Sequence, residues 1–349
     1  MRARQGRTVW GRRYPWRTAG VRGRGGRPRR RGRRDRGGRR PVVAIARNDD
    51  EGTAIREALR HLPLPDILPP DKRVVLIPNW VKAMPPESGA VVGPGSLRVV
   101  VEELERLRPE RFVVAAGSGG DPTPKVFREV GYDRVLAETG VEFVDLNHGP
   151  FTGVDLPVWG RDGDGFGAEY PPRLEVNRLY DEVDAIVSYT VIKVHEEAVV
   201  SLGLKNVTLS WPPAEIHGFP KTSKGIHEDL HGFIAAAAYA FPITLSIISG
   251  CPAMVGTGPT GGRPVQTGIV VAGTDPVAVD VVGARLLGFR PQAVGYLHHL
   301  IRRGYGEGDL RRVTLKGMPL GDAEAAFSQA VHGMPIVLDK EEILPVHLL

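Results

Sequence analysis

DAIVSYTVIKVHEEAVVSLGLKNVTLSWPPAEIHGFPKTSKGIHEDLH, residues 184–231, decides how the rest of the chain is read. Ala185 to Val194 is a run dominated by β-branched and aromatic side chains, which crowd a helix but pack well on a pleated sheet, so it predicts a buried strand. The polar residues gather at its end. Residues two apart on a strand share a face, so Lys193 and His195 project together from the carboxyl end, where open α/β sheets place their ligand crevices. Lys205 and Asn206 follow as a second polar pair. A Pro-rich loop then carries His217, Lys221 and Lys224, and His227 and His231 are spaced for one face of a helix that continues through Phe233 and four alanines. Four of the ten histidines fall between His195 and His231. Each alone reads equally well as a surface residue. Together they are the strongest sign of chemistry, because His and Lys exchange protons near neutral pH once a site tunes them, and lysine holds carboxylate or phosphate.

Upstream, VVAIARNDD after Pro41 and RVVLIPNW (residues 73–80) are apolar strands, the second ended by Pro78 and Asn79, with a helix from Gly52 to His61 between them. A long loop from Val81 to Gly95 precedes an amphipathic helix that Ser96 is placed to cap. A third strand, Phe112 to Ala116, ends in GSGGDPTPK, where Asp121 lies at the same carboxyl edge as Lys193 and His195. The glycine-rich turn matches neither dinucleotide nor P-loop spacing. A helix at Tyr132 to Thr139 and the strand VEFVDLN follow, and Gly-, Asp- and Pro-rich residues 151–173 read as a surface excursion. Downstream come a strand from Ile243 to Ser249, the strand IVVAG, and helices near Ala293 to Arg303 and Ala323 to Val331. Strands alternating with helices predict an α/β fold: a mostly parallel sheet with helices on both faces, as one unit or as two lobes around a crevice.

The formal charge of +6 conceals an asymmetry. Residues 1–40 hold 17 Arg and one acid, Asp35, a net +16, which leaves the rest of the chain at −10. Any nucleic-acid contact is thereby confined to residues 1–40, an Arg/Gly-rich tail with no apolar periodicity, expected to be disordered. It reads as an RNA-binding arm, as a targeting peptide, although no apolar stretch follows Arg12 and Arg13, or as sequence upstream of a misplaced start, the folded domain being residues 41–349. The single cysteine, Cys251, excludes an intrachain disulfide and an all-cysteine iron–sulfur cluster. No apolar run reaches the roughly 18 residues of a membrane span. The cytoplasm is the simplest location.

Three further features invite chemistry. His227-Glu228-Asp229-Leu230-His231 matches H-E-x-x-H, the helical zinc signature, without a third ligand at a matching distance. Six glycines between Gly250 and Gly268 suggest a ligand-contacting loop. Asp275 before Pro276 is a helix N-cap, whereas Asp280, inside an apolar helix, calls for a basic partner or a cation.

RVVLIPNW, AAGSGGDPT, GYDRVLAETGVEFVDLN, DAIVSYTVIKVHEEAVVSLGLKN, GTGPTGGRPVQTGIVVAGTDPVAVDVVGARLLGF and GYGEGDL together resemble the DUF362 family over about residues 41–315. The residues that carry the resemblance are Pro78, Asn79, Lys193, His195, Lys205, Asn206, His227, Gly256, Gly258, Pro259, Asp275, Pro276, Ala278 and Asp280. Ile77 stands where the family pattern has lysine. The ferredoxin-like cysteine insert of some relatives is missing. A fainter, fold-level likeness is to nickel-pincer lactate racemases, with His and Lys between two α/β lobes. The family's function is poorly defined; the Lys and His cluster itself points to an enzyme acting on a small anionic metabolite, with or without a divalent metal, and a non-catalytic redox-accessory or nucleic-acid-associated protein is the alternative. Lys193 and Lys205 would hold the anion. His195 would be a base or metal ligand, His227 an acid or second ligand, and Asp280 a metal ligand or lysine partner. Asn79, Asp121, Asn206 and the loop glycines Gly256, Gly258, Gly261 and Gly262 would contact substrate.

Overall fold

Alternation of side chains to two apolar faces builds the molecule. In a computed structural model, which describes residues 40–159, 170–222 and 224–338, the strands are β1 (Val42–Arg47), β2 (Arg73–Pro78), β3 (Arg111–Ala116), β4 (Glu142–Asp145), β5 (Phe151–Asp155), β6 (Arg173–Asn177), β7 (Ala185–His195), β8 (Val199–Ser201), β9 (Ile243–Val255), β10 (Arg263–Val265), β11 (Ile269–Gly273) and β12 (Thr314–Gly317). The helices are α1 (Glu51–Arg60), α2 (Leu64–Ile67), α3 (Pro94–Glu105), α4 (Thr123–Val130), α5 (Tyr132–Thr139), α6 (Leu179–Glu182), α7 (Gly203–Ser210), α8 (Ala214–His217), α9 (Leu230–Ala240), α10 (Pro276–Leu286), α11 (Gly295–Arg302) and α12 (Leu320–His332). The Arg-rich tail, and with it every reading placed on residues 1–39, lies outside the described residues.

The main sheet runs β12-β1-β11-β9-β7-β2-β3-β4, with β8 and β10 as short hairpin arms on β7 and β9. Every neighbouring pair along that path is parallel except the two made by β11, so the expectation of a mostly parallel sheet holds. Val43 and Ile45 of β1, Val75 and Ile77 of β2, and Val113 and Ala115 of β3 join the core beneath α7, α9, α10, α11 and α12. The alternate residues Ala44, Leu76 and Val114 join the core beneath α1, α3 and α5. Both faces of the sheet are therefore covered, which is why β7 is buried over its whole length. The described residues fall in one compact unit.

Three local readings need correction. Ser96 does not cap α3: Pro94 opens that helix after Gly93, and the Ser96 hydroxyl instead donates back to the Gly93 carbonyl at 3.2 Å. Proline already set the helical φ two residues earlier. Helix α4 also precedes α5, separated from it by Gly131 at φ 90°. The excursion at residues 151–173 begins with β5, which pairs antiparallel with β6, the strand that starts at its last residue; the turn-rich composition between them hid the ladder.

Helices α10 and α12 are tied by a buried ion pair, Arg285 Nε to Glu324 Oε1 at 2.6 Å, while Glu324 Oε2 accepts from the Leu338 amide at 3.1 Å. Truncating the acid strands a buried guanidinium. Glu324→Ala is expected to lower the unfolding free energy by about 3–5 kcal/mol in a denaturant titration, and Glu324→Gln by clearly less.

Candidate functional site

The order of connections sets where a crevice must open. From β2 the chain crosses through α3, on one face, to β3; from β7, the parallel neighbour of β2 on the other side, it crosses through α7, α8 and α9, whose long helices α7 and α9 pack on the opposite face, to β9. Crossovers diverging to opposite faces from adjacent strands leave a gap at the strands' carboxyl ends. Asn79 directly follows β2, and Lys193 and His195 are the last polar residues of β7.

These residues meet there. Lys193 is 1% exposed, and its Nζ donates to Asn79 Oδ1 at 3.1 Å and to the Ala90 carbonyl at 2.7 Å. Burial, reinforced by the charge of Lys205, lowers its pKa from 10.5 to about 7. Lys205, on the first turn of α7, is half-buried, and its ammonium has neither a hydrogen bond nor an ion pair among the described residues. Burial lowers it to about 8, while the Glu197 carboxylate pulls it upward. His195 is held at the tip of the β7–β8 hairpin: its Nδ1 accepts from the Glu197 and Ala198 amides, both at 3.2 Å. In the neutral ring Nε2 then carries the hydrogen, which leaves His195 able to donate from that side. Burial, followed by the charges of Lys205 and Lys193, lowers its pKa to about 2. Asn206 is buried beneath this group, donating to the Ile77 carbonyl at 2.9 Å and Ser188 Oγ at 3.1 Å. It ties α7 to the end of β2 and the middle of β7 and acts as a strut.

Other candidates have different work. Asp280 is fully buried but partners no lysine. Its Oδ1 accepts from the Gly203 amide at 2.9 Å, and its Oδ2 from the Leu204 amide at 3.1 Å and the Tyr296 hydroxyl at 3.2 Å. It caps α7 from another helix, and burial raises its pKa to about 7. The expected shared helix face of His227 and His231 does not form, because α9 starts only at Leu230, behind the N-cap Asp229. His231 Nδ1 accepts from the Tyr296 amide at 3.1 Å, and the ring fits because residue 295 is glycine: a Cβ there would lie 2.7 Å from the His231 ring. Among the described residues no group of three or more His, Cys, Asp or Glu side chains is placed to hold a metal ion. Asp121 is engaged by the Ala83 amide at 3.0 Å and Lys125 at 3.2 Å, which bind the loop after β2 to the start of α4.

In the glycine loop, Gly258 is buried because the chain passes β7 so closely that a Cβ would sit 2.0 Å from the Val194 carbonyl oxygen. Its own carbonyl accepts from the Glu196 amide at 3.1 Å. Gly262 is crowded by Met254 and the Val255 carbonyl, whereas Gly256, at φ 85°, and Gly261 are exposed. Close backbone approach, rather than a ligand cradle, accounts for Gly258 and Gly262.

Two groups escaped the sequence reading. Lys221, read only as part of a loop, is 3% exposed, with Nζ donating to the carbonyls of Gly117 at 2.8 Å and of Leu209 and Ser210 at 3.3 Å. Burial lowers it to about 7. Glu197 had no signal beyond lying beside His195, yet its carboxylate contacts His227 Nδ1.

The fold and the cluster define an open α/β protein with a basic site at its topological switch point. The comparisons agree: the family model "Domain of unknown function (DUF362)" matches residues 74–285, and the chain belongs to that family. It is also 22% identical over 226 residues to the thylakoid-associated protein sll1697 of Synechocystis sp. (strain ATCC 27184 / PCC 6803 / Kazusa), across 64% of this chain and 66% of that protein, just under two thirds of its length. No helix among the described residues is long and apolar enough to cross a membrane.

Two outcomes follow from this geometry. Asp280→Ala leaves two α7 amides and a tyrosine hydroxyl without their acceptor, so the unfolding free energy falls by about 2–4 kcal/mol in chemical denaturation. Lys193 is protonated more readily unfolded than folded. Stability therefore rises with pH from about 7 toward 10.5 as the folded state sheds a proton that the unfolded state keeps. Lys193→Met should make that rise shallower in melting curves taken across this range; an unchanged slope would place the proton elsewhere.

Proposed function

We propose that the chain is an enzyme that binds a small anionic metabolite, a carboxylate or a phosphate, between the ends of β2 and β7. One observation carries the reading. The charge of Lys205 acts on Lys193, and neither lysine has an ion pair among the described residues, the Glu197 carboxylate that acts on Lys205 being paired with His227. Two neighbouring lysines withdrawn from water and without ion pairs are costly in their charged forms, and an incoming anion relieves that cost. Lys205, with its ammonium unengaged, contacts the anion. His195 donates Nε2–H to it, and Asn79 holds Lys193 in place. Lys193, poised near neutrality, takes up or gives a proton as the charge of the ligand changes.

Titration calorimetry with inorganic phosphate and with short mono- and dicarboxylates tests this. Lys205→Ala should weaken the preferred anion by about ten- to a hundredfold, matching the ~1.5–3 kcal/mol of a hydrogen bond to a charged group, with the melting temperature unchanged. Equal binding by wild type and variant would overturn the assignment.

A further inference from the structure

We infer that Glu197 is the positioning residue of this site: its carboxylate fixes the tautomer of His227 and leaves His227 Nε2 bare as the proton acceptor opposite the donor His195. The inference rests on the anion-site reading above and extends it by naming the base.

Several contacts converge on this one hairpin residue. The Glu197 amide donates to His195 Nδ1 at 3.2 Å. Its carboxylate contacts His227 Nδ1. Its carbonyl acts on His231, and its charge acts on Lys205. Two residues on, Val199 holds φ 65°, a left-handed backbone that a β-branched side chain rarely adopts and that concentrates at functional sites. A carboxylate only accepts hydrogen bonds, so His227 Nδ1 must carry the hydrogen. In His195 the same nitrogen accepts from two amides and carries none. The contacts of the two imidazoles thus favour opposite neutral tautomers.

That arrangement fits an anion bearing a removable proton beside a hydroxyl or carbonyl oxygen. The ligand X–H bond breaks and its electron pair stays on the ligand. The proton forms the Nε2–H bond of His227, whose new positive charge Glu197 offsets. The charge left on the ligand oxygen faces His195 Nε2–H and Lys205.

Two-bond proton–nitrogen correlation spectra of the full chain labelled with nitrogen-15 histidine test the tautomers directly, with His227→Gln and His195→Gln to assign the signals. Wild type should show His227 as Nδ1–H and His195 as Nε2–H at a pH where both rings are neutral. Glu197→Gln should shift His227 to the ordinary Nε2–H form while His195 keeps its own, and Glu197→Asp should restore the wild-type pattern. Finding His227 as Nε2–H in wild type would overturn the inference whether or not the variants fold, and so would an unchanged His227 in Glu197→Gln. Adding inorganic phosphate separates the two readings. If phosphate and short carboxylates move no His195 signal, the anion site fails while the Glu197–His227 result stands.

Discussion

Parallel pairing of β2 with β7 is the constraint on which the rest depends. It lays the end of β2 beside Tyr189 of β7, which runs on to His195, while the crossovers from the two strands leave for opposite faces, the arrangement at which open α/β sheets place their ligand crevices. Lys193 bridges the gap by reaching Asn79 and the Ala90 carbonyl, which joins β7, the end of β2 and the loop before α3 in a single contact. The loop that looked unusually long in the sequence is what supplies that carbonyl.

Around this gap the fold spends its polar groups in two ways. Some are consumed in holding backbone: Asp280 at the start of α7, Asn206 between β2 and β7, His231 on the Tyr296 amide, and Lys221 among three carbonyls. Each satisfies groups that would be orphaned at the sheet edge, as buried polar atoms require. Others keep capacity in reserve. Among the described residues, Lys205 has an unengaged ammonium, His195 an Nε2 without a hydrogen-bond partner, and His227 one nitrogen beyond its contact with Glu197. The reserve group is mainly cationic or donating, and for that reason an anion is its complement.

The histidines separate by local backbone rather than by spacing. His227 and His231 are four apart, which on a continuous helix would put them on one face, but Asp229 accepts from the Gly232 amide and starts α9 between them. One N-cap turns a zinc-like motif into two residues with unrelated duties. The same logic applies to glycine: Gly258 is small because the Val194 carbonyl is adjacent, a contact made across the chain and invisible in composition.

The sequence by itself determined the mostly parallel α/β sheet, the run of β7, the N-cap at Asp275, the family membership, and the clustering of Lys193 and His195 at a strand end. These depend on local patterning, whose period and turn chemistry can be read residue by residue. Tertiary structure alone decided that Asp280 caps α7 from 76 residues away, that His195 Nδ1 accepts from the Glu197 and Ala198 amides, and that the Glu197 carboxylate meets His227. Those roles depend on which amide, carbonyl or ring lies within about 3 Å, a distance that only the closed packing of distant segments sets.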